Sequence, residues 1–415
     1  MDKKILKKGD SEFTGRITRR DLLKGTGLAA LTGSLAGCGQ TSGQAEYTPK
    51  IPIPTYESIG VTPVINCRGT YTIFSGSLML PEARMAMVEA SKRYVHMDKL
   101  MDGVGRRLSE LTGAEWGIIS TGCAACVVGA ACACVAGADP EKMALIPDLR
   151  TMKNECIVPR NHRNVYDRAI WMAGLKMVEI ETAEEMEAAV NDRTAMITFA
   201  GQSFGRGISL EDIVRIAKKH NIPTLVDAAA ERPDVPNVYI EAGVDLVAYS
   251  GGKCLRGPQA SGLLLGRKDL CQAAFLNLAP HHSFGRPMKG GKEEIMALLT
   301  AVDMWINGRD HEAEWQEWLK NFEYISEKIT QVSTVKTEVI EPRGRANVAP
   351  RLSVTWDQNT VKITPGEVGD QLINGTPSIA MPGGRGGMSI MSYMMEEGDE
   401  IPVAKRLHEI LSSAV

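Results

Sequence analysis

The sequence predicts an α/β protein with a mostly parallel central sheet covered by helices, followed by a smaller α+β C-terminal domain. Two observations carry this reading. From Leu210 onward, short apolar runs alternate with segments whose apolar residues recur at helical spacing, as expected of strands joined by crossover helices. Beyond about residue 315 the order changes to a long helix, strand-like pieces and a terminal helix. The 415 residues, 44% of them hydrophobic, can bury one large core and a smaller one.

Taken in order, Leu108 to Gly113 closes a helix, Gly117-Ile-Ile-Ser120 reads as a strand, and Thr121-Gly122 leads into a segment of cysteine and alanine. A strand, a glycine turn and a helix form a phosphate cradle, because the first helical turn offers free N–H donors and a positive dipole end. Ala195 to Ala200 is the next strand, Leu210 to His220 a helix, and Thr224-Leu-Val-Asp227 a strand that ends on an acid. Asp245 to Tyr249 is a further strand, followed by Ser250-Gly-Gly-Lys253, and Ser261 to Gly266 is one more. The C-terminal part reads as a helix over Trp315 to Val332, strands around Val335–Ile340 and Leu352–Trp356, and a helix from Ile401 to Leu411. The expected layout is a leader and tether over residues 1–45, a large domain over 46–314 and a small one over 315–415.

The leader differs in kind from the rest and is set apart from fold reasoning. Thr18-Arg19-Arg20-Asp21-Leu22-Leu23-Lys24 resembles a twin-arginine export signal, and a weakly apolar run from Gly25 to Gly37 follows it. That run ends at Leu35-Ala36-Gly37-Cys38, which resembles a bacterial lipoprotein cleavage box, so Cys38 is the expected lipid-bearing residue. A tether rich in Gly, Ser, Thr and Gln comes next. The expectation is a membrane-anchored cell-envelope protein that meets the membrane through its lipid alone. After residue 45 nothing approaches the roughly 18 uninterrupted apolar residues that span a bilayer.

A net charge of −3 gives no basic excess to gather phosphate backbones, so nucleic acid is not an expected partner. Four of the nine cysteines, Cys123, Cys126, Cys132 and Cys134, crowd one segment. Cys-x-x-Cys followed by Cys-x-Cys invites a metal reading. Every neighbour is Ala, Val or Gly, however, so the segment reads as a buried helix in which cysteine acts as a small apolar side chain, and no metal is expected.

Lys253 and Asp227 carry the chemistry. A lysine that forms a Schiff base must be reachable by an aldehyde and able to lose its proton, which burial and nearby positive charge favour. Lys253 sits between glycines and Arg256, where small residues let a ring approach the backbone. In open α/β sheets ligands bind beyond the carboxyl ends of the strands, and both residues fall there. A carboxylate beside a pyridine nitrogen keeps that nitrogen protonated, which makes pyridoxal phosphate (PLP) an electron sink. Alone, Lys253 also suits a surface lysine, and Asp227 also suits a cap of the next segment.

From about Pro63 to the C-terminus the chain resembles the selenocysteine synthase family. The resemblance rests on Val64-Ile-Asn66-Cys-Arg-Gly69, Ser120-Thr-Gly-Cys-Ala-Ala125, His162-Arg163 with Tyr166-Asp167, Leu225-Val-Asp227-Ala-Ala229, Ser250-Gly-Gly-Lys253 with Gly257-Pro-Gln259, and Gly285-Arg286-Pro-Met-Lys289 with Lys292-Glu293. It implies the fold-type-I, aminotransferase-like architecture of PLP enzymes and PLP as cofactor. It further implies Lys253 for the Schiff base and Asp227 for the pyridine nitrogen. The Gly122/Cys123 backbone and Ser250 would then hold the phosphate, with His162 against the ring. Around the lysine, the ammonia-lyase-like members of the family, which act on small amino acids or amino-sugar acids, are the nearer match. A tRNA-binding domain precedes the corresponding core in the selenium enzyme; here that stretch is the leader and tether.

The expected activity is therefore a PLP-dependent α,β-elimination or deamination of an amino acid or amino-sugar acid, with a small amino-acid-like molecule as partner. Alternatives are a selenium or sulfur transferase, and a non-catalytic binding lipoprotein on the same fold. Arg286 and Arg385, in Gly- or Pro-rich loops, are candidate substrate-binding residues. His281, His282 and Lys289 are weaker ones, and each of these also suits a solvated surface charge. Fold-level analogy points to a homodimer or higher homo-oligomer.

Overall fold

The structure is a computed structural model that describes residues 49–201, 207–381, 383–384 and 386–415. The chain divides into two compact units, Met1–Ile59 and Gly60–Val415. Of the first, the described end carries a turn in which Thr55 and Ser58 exchange hydrogen bonds ahead of a 3₁₀ turn at Glu57–Ile59.

The second unit contains β1 (Val64–Asn66), β2 (Trp116–Ser120), β3 (Glu155–Pro159), β4 (Lys176–Ile180), β5 (Thr194–Ala200), β6 (Thr224–Asp227), β7 (Leu246–Ser250) and β8 (Gly262–Gly266). It continues with β9 (Lys336–Ile340), β10 (Arg351–Thr355), β11 (Ser378–Ala380), β12 (Gly383–Gly384) and β13 (Gly387–Ile390). Seven of these form the central sheet in the order β2-β8-β7-β6-β5-β3-β4. From β7 through β4 all pairings are parallel, and β8 runs antiparallel to both of its neighbours. The mostly parallel sheet is thus as expected, and β2, β3, β5 and β8 are buried at every position, as fits a sheet covered on both faces.

The expected strands shift by a residue or two: the fifth begins at Thr194, and the seventh runs from Leu246 to Ser250. β3 and β4 were not expected. Five residues each and devoid of alternation, they cannot be told by periodicity from a stretch of buried helix. The helix Leu210–His220 has the expected bounds for local reasons. Ser209 accepts from the Asp212 N–H, Glu211 and Asp212 sit in the first turn, Lys218, Lys219 and His220 in the last, and Asn221 closes it in the left-handed conformation.

The cysteine-rich segment forms the helix Cys123–Ala136, buried along nearly its whole length. It lies between the sheet and the helix Lys268–Leu276. Small side chains make that approach possible: a Cβ on Gly129 would lie 2.7 Å from Leu278. Burial pushes the Cys126 and Cys132 thiols up to about 12, so they remain protonated and apolar in character. Among the described residues no group of three His, Cys, Asp or Glu side chains could hold a metal ion, and no helix is long and apolar enough to cross a membrane.

Two large hydrophobic clusters and a small third one around Ala349, Tyr393 and Met394 occur among the described residues of the unit. The first surrounds the central sheet. The second gathers Phe322, Leu352, Val368 and Leu407 from the C-terminal part, together with Cys67 from the N-terminal side. Here β12-β13-β10-β9 form an antiparallel sheet, backed by the helices His311–Ile329 and Glu400–Ser413. β1 pairs in parallel with β11, so residues 64–67 fold with the C-terminal part although they are distant in sequence.

The apolar role of the cysteines is testable by urea denaturation. Cys132 is fully buried, so Cys132→Ser is expected to be less stable than Cys132→Ala by about 1 kcal/mol, because the hydroxyl is desolvated more expensively than a thiol or methyl. Equal stabilities would contradict it.

Candidate active site

The central sheet brings an acid and a lysine to one edge. Asp227 ends β6 beside Ala200, which ends β5, in direct register. On its other side β7 runs parallel and leads through Ser250 into the turn that carries Lys253. That turn is braced on several sides: Gly251 N–H donates to Ser261 O at 2.8 Å, Gly257 N–H to Gly251 O at 2.9 Å, and Ser77 N–H to Gly252 O at 3.1 Å. A Cβ on Gly252 would lie 2.5 Å from the Gln259 Cα, so the turn packs more closely than any side chain there allows.

Asp227 and half-buried Lys253 line one cavity of about 210 Å³, with Thr70, Tyr71, Tyr166 and Asn347 among its walls. Asp227 Oδ1 accepts from the Ala229 N–H at 3.0 Å and from the Cys123 thiol at 3.6 Å. Desolvation raises its carboxyl above the ordinary carboxylate range, and outweighs the lowering by the Ala229 N–H and by Lys253. An acid so placed is stabilised as an anion by a cationic partner in the cavity. His162 is buried at the end of a 3₁₀ turn following β3 and lies with Asp227 along a narrower extension of the cavity. Its Nδ1 accepts from the Ala200 N–H at 3.2 Å, and its ring meets Phe199 edge-on.

The same sheet edge supplies an anion site. Ser120, Gly262 and Ser250 lie in register across β2, β8 and β7. Directly beyond Ser120, Gly122 adopts φ 97° and starts the helix Cys123–Ala136 without a side-chain cap, which leaves first-turn N–H groups for a ligand. The Ser120 hydroxyl is buried and unpartnered, and a buried donor of this kind calls for a polar partner. Gly262 has no alternative to glycine, since a Cβ would fall 2.2 Å from the Gly122 carbonyl carbon. An anion cradle, a lysine amine and a buried acid that gains from a cation fit PLP. Gly122, Cys123 and Ser250 would hold its phosphate, Asp227 its pyridine nitrogen, His162 its ring face and Lys253 its aldehyde carbon.

The other described candidates do not line this cavity. Arg286 is half-buried in a loop fixed by a hydrogen bond from Gly285 N–H to Asn277 O at 2.9 Å, and it is not among the residues lining the cavity. His281 sits against the Phe275 carbonyl and Asp98, at 3.1 Å from each, while His282 and Lys289 are exposed. Arg385 and Cys38 lie outside the described residues. Glu231, by contrast, lines the cavity and was not anticipated. Its signal in the sequence is a second acid four residues beyond Asp227, separated from it by alanines.

Fold and site together define a fold-type-I, PLP-dependent enzyme. The aminotransferase class-V family matches residues 168–286. The chain is 28% identical to the D-glucosaminate-6-phosphate ammonia lyase of Salmonella typhimurium, over 88% of this chain and 99% of that one. It is 25% identical to the L-seryl-tRNA(Sec) selenium transferase of Escherichia fergusonii, over 73% of this chain and 66% of the relative. Among solved structures, a D-glucosaminate-6-phosphate ammonia-lyase superposes with a TM-score of 0.78 at 28% identity, covering 87% of this chain and 99% of that one. A serine palmitoyltransferase of Sphingomonas wittichii, 13% identical with a TM-score of 0.53 over 85% of this chain and 88% of that one, shares the fold. The resemblance to the selenocysteine synthase family and its ammonia-lyase branch is borne out by these relatives.

Two substitutions test the site apart from turnover. The raised carboxyl of Asp227 stabilises the cofactor-free protein when protonated, and this contribution fades as pH rises through the raised value. Asp227→Asn is therefore expected to melt higher than the wild type without cofactor, by a margin that widens with pH, and to bind PLP at least tenfold more weakly. A lower melting temperature at neutral pH would contradict the assignment. Gly262→Ala should weaken PLP by a similar factor by displacing the helix start, and cost about 1–3 kcal/mol of stability; unchanged cofactor affinity would remove the phosphate cradle from that position.

Proposed function

We propose that the protein is a PLP-dependent ammonia lyase acting on an amino-sugar acid. The observation that carries this reading is the pairing of Lys253 with Asp227 in one cavity, on a scaffold that matches an ammonia lyase over nearly the full length of that enzyme. PLP, when bound, supplies an electron sink for negative charge at the substrate's α-carbon. The chain supplies the rest. Asp227 keeps its carboxylate at the floor of the cavity, and the Ala229 N–H and Cys123 thiol hold it in orientation. The Lys253 amine, three residues past the β7 end, takes up the α-proton. Loss of the β-hydroxyl as water and of the amine as ammonia, with one water taken up, converts a 2-amino-3-hydroxy acid into a 2-oxo acid.

A transferase of the selenocysteine synthase type needs the same lysine and acid, and the selenium transferases among the relatives keep it as the second reading. Incubation with D-glucosaminate 6-phosphate distinguishes the two. Release of ammonia and a 2-oxo acid without tRNA or a selenium donor is the expected result, whereas strict dependence on aminoacyl-tRNA would make the second reading the right one.

We further propose that the enzyme acts outside the cytoplasm as a lipoprotein. The ordered sequence of arginine pair, apolar run and Leu35-Ala36-Gly37-Cys38 supports this, as does the compatibility of a cytosolic cofactor with a route that exports folded proteins. Assembly as a homo-oligomer is supported by apolar side chains left exposed between residues 71 and 95, among them Ile73, Met85 and Tyr94. Replacing Arg19 and Arg20 by Lys should leave PLP-loaded enzyme in the cytoplasm, and Cys38→Ala should release it from the membrane fraction. Envelope location unaffected by either change would refute the export reading.

A further inference from the structure

Glu231 is a carboxylic acid enclosed in the wall of the active-site cavity, with a relative exposure of 2%. Its local geometry follows from the turn after β6: Glu231 N–H donates to Ala228 O at 2.9 Å, which folds the alanines back and turns the acid toward the interior. One oxygen, Oε2, is occupied. The buried Tyr239 hydroxyl donates to it, and Arg345 Nε lies 3.5 Å away. The other oxygen, Oε1, is buried and has no hydrogen-bond partner. It lies beside the Cα of Gly201, the residue after β5, and a Cβ at that position would be 2.4 Å from Oε1 and 2.5 Å from the Tyr239 oxygen. A side chain at 201 would press on both oxygens, so glycine there lets the carboxyl and the tyrosine hydroxyl keep their positions.

Leaving a buried carboxyl oxygen unpaired is costly, the more so when it is charged. Such a cost is commonly offset by a ligand at a functional site. The backbone around Glu231 is also unusually well fixed. Its carbonyl accepts from the Cys254 thiol at 3.3 Å, next to Lys253, and Asn347 N–H donates to Ala230 O at 3.0 Å. The backbone at Glu231 is therefore anchored to the lysine turn on one side and to a cavity-lining loop on the other, while Tyr239 holds the carboxyl.

We infer that Glu231 is a specificity-determining residue whose Oε1 pairs with a hydroxyl group on the substrate's carbon chain. A hydroxyl fits better than an ammonium, because it donates to a carboxylate and accepts from a carboxylic acid and so pairs with Glu231 in either protonation state. Small amino acids without a hydroxylated chain leave Oε1 unpaired. The enzyme then selects polyhydroxylated substrates through the cost that an unpaired buried group imposes on the others. This inference rests on the amino-sugar-acid reading and sharpens it: it names the group by which such a substrate is recognised.

Glu231→Gln is the informative change. The Tyr239 hydroxyl, which donates at Oε2, draws the amide oxygen to that position, which turns the amide NH₂ toward the Oε1 position and alters the hydrogen bonding there while volume is kept. Calorimetric titration of PLP-loaded enzyme with D-gluconate 6-phosphate and with 6-phosphohexanoate, which has the same charged ends and no hydroxyls, reads the effect on binding. The wild type should prefer the hydroxylated acid, and Glu231→Gln should reduce that preference at least tenfold, with the melting temperature and the bound-cofactor spectrum retained. In turnover, the ratio of kcat/KM for D-glucosaminate 6-phosphate to that for serine should fall by a similar factor. Gly201→Ala, which crowds the same oxygen, should shift both ratios in the same direction. Equal losses for hydroxylated and plain ligands would overturn the inference and make Glu231 a purely structural residue, as would an unchanged preference. Failure of the wild type to release ammonia from D-glucosaminate 6-phosphate would refute the lyase reading instead, and the binding preference would still decide the role of Glu231.

Discussion

Asp227 is a carboxyl that burial works against and that the rest of the site is arranged around. Desolvation alone favours its neutral form, and the Ala229 N–H, the Cys123 thiol and Lys253 each act the other way. The balance makes the cavity a place where a pyridinium is a better partner than water. The flanking strands set its position: Ala200 and Ala248 lie level with Asp227 in β5 and β7, and their small side chains leave the space above it open. The parallel register therefore fixes where an acid and a lysine meet before any side chain contributes.

The anion end obeys the same constraint in a different form. Ser120 and Ser250 come level only because antiparallel β8 is inserted between β2 and β7, and β8 reaches the helix start only because residue 262 is glycine. Two kinds of close approach, strand to helix at Gly262 and turn to loop at Gly252, thus hold the phosphate cradle and the lysine turn in place. The cysteine-rich helix belongs to this arrangement as well. Its thiols are compact enough to let the helix lie against the sheet, and Cys123, at its first position, is in addition a donor to Asp227.

Much of this was legible in the sequence, and what was not has physical causes. Lys253 and Asp227 stood out because each follows an apolar run that has the length and composition of a strand and ends in polar or glycine residues. The helix Leu210–His220 was fully readable since its caps, charges and apolar stripe agree. β3 escaped because a short, wholly buried strand in a parallel sheet carries no alternation, and β4 because its five residues at the sheet edge, exposed at Lys176 and Glu179, carry none either. The pairing of β1 with β11 escaped because contacts between residues more than 300 positions apart leave no local pattern. Arg286 does not line the cavity of Lys253 and Asp227, and loop composition alone does not tell which surface a loop faces. For Glu231 the spacing of a second acid after Asp227 was visible, but its burial and unpaired oxygen, which give it importance, show only in the structure.

One lysine, Lys253, is assigned to the cofactor, and the decisive measurement is reduction of the PLP-loaded protein with borohydride followed by peptide mapping. The yellow absorbance is expected to bleach and the pyridoxyl label to fall on the peptide containing Lys253, with Lys253→Ala protein left unlabelled. A label on any other lysine, or a purified protein that takes up no PLP, would contradict it.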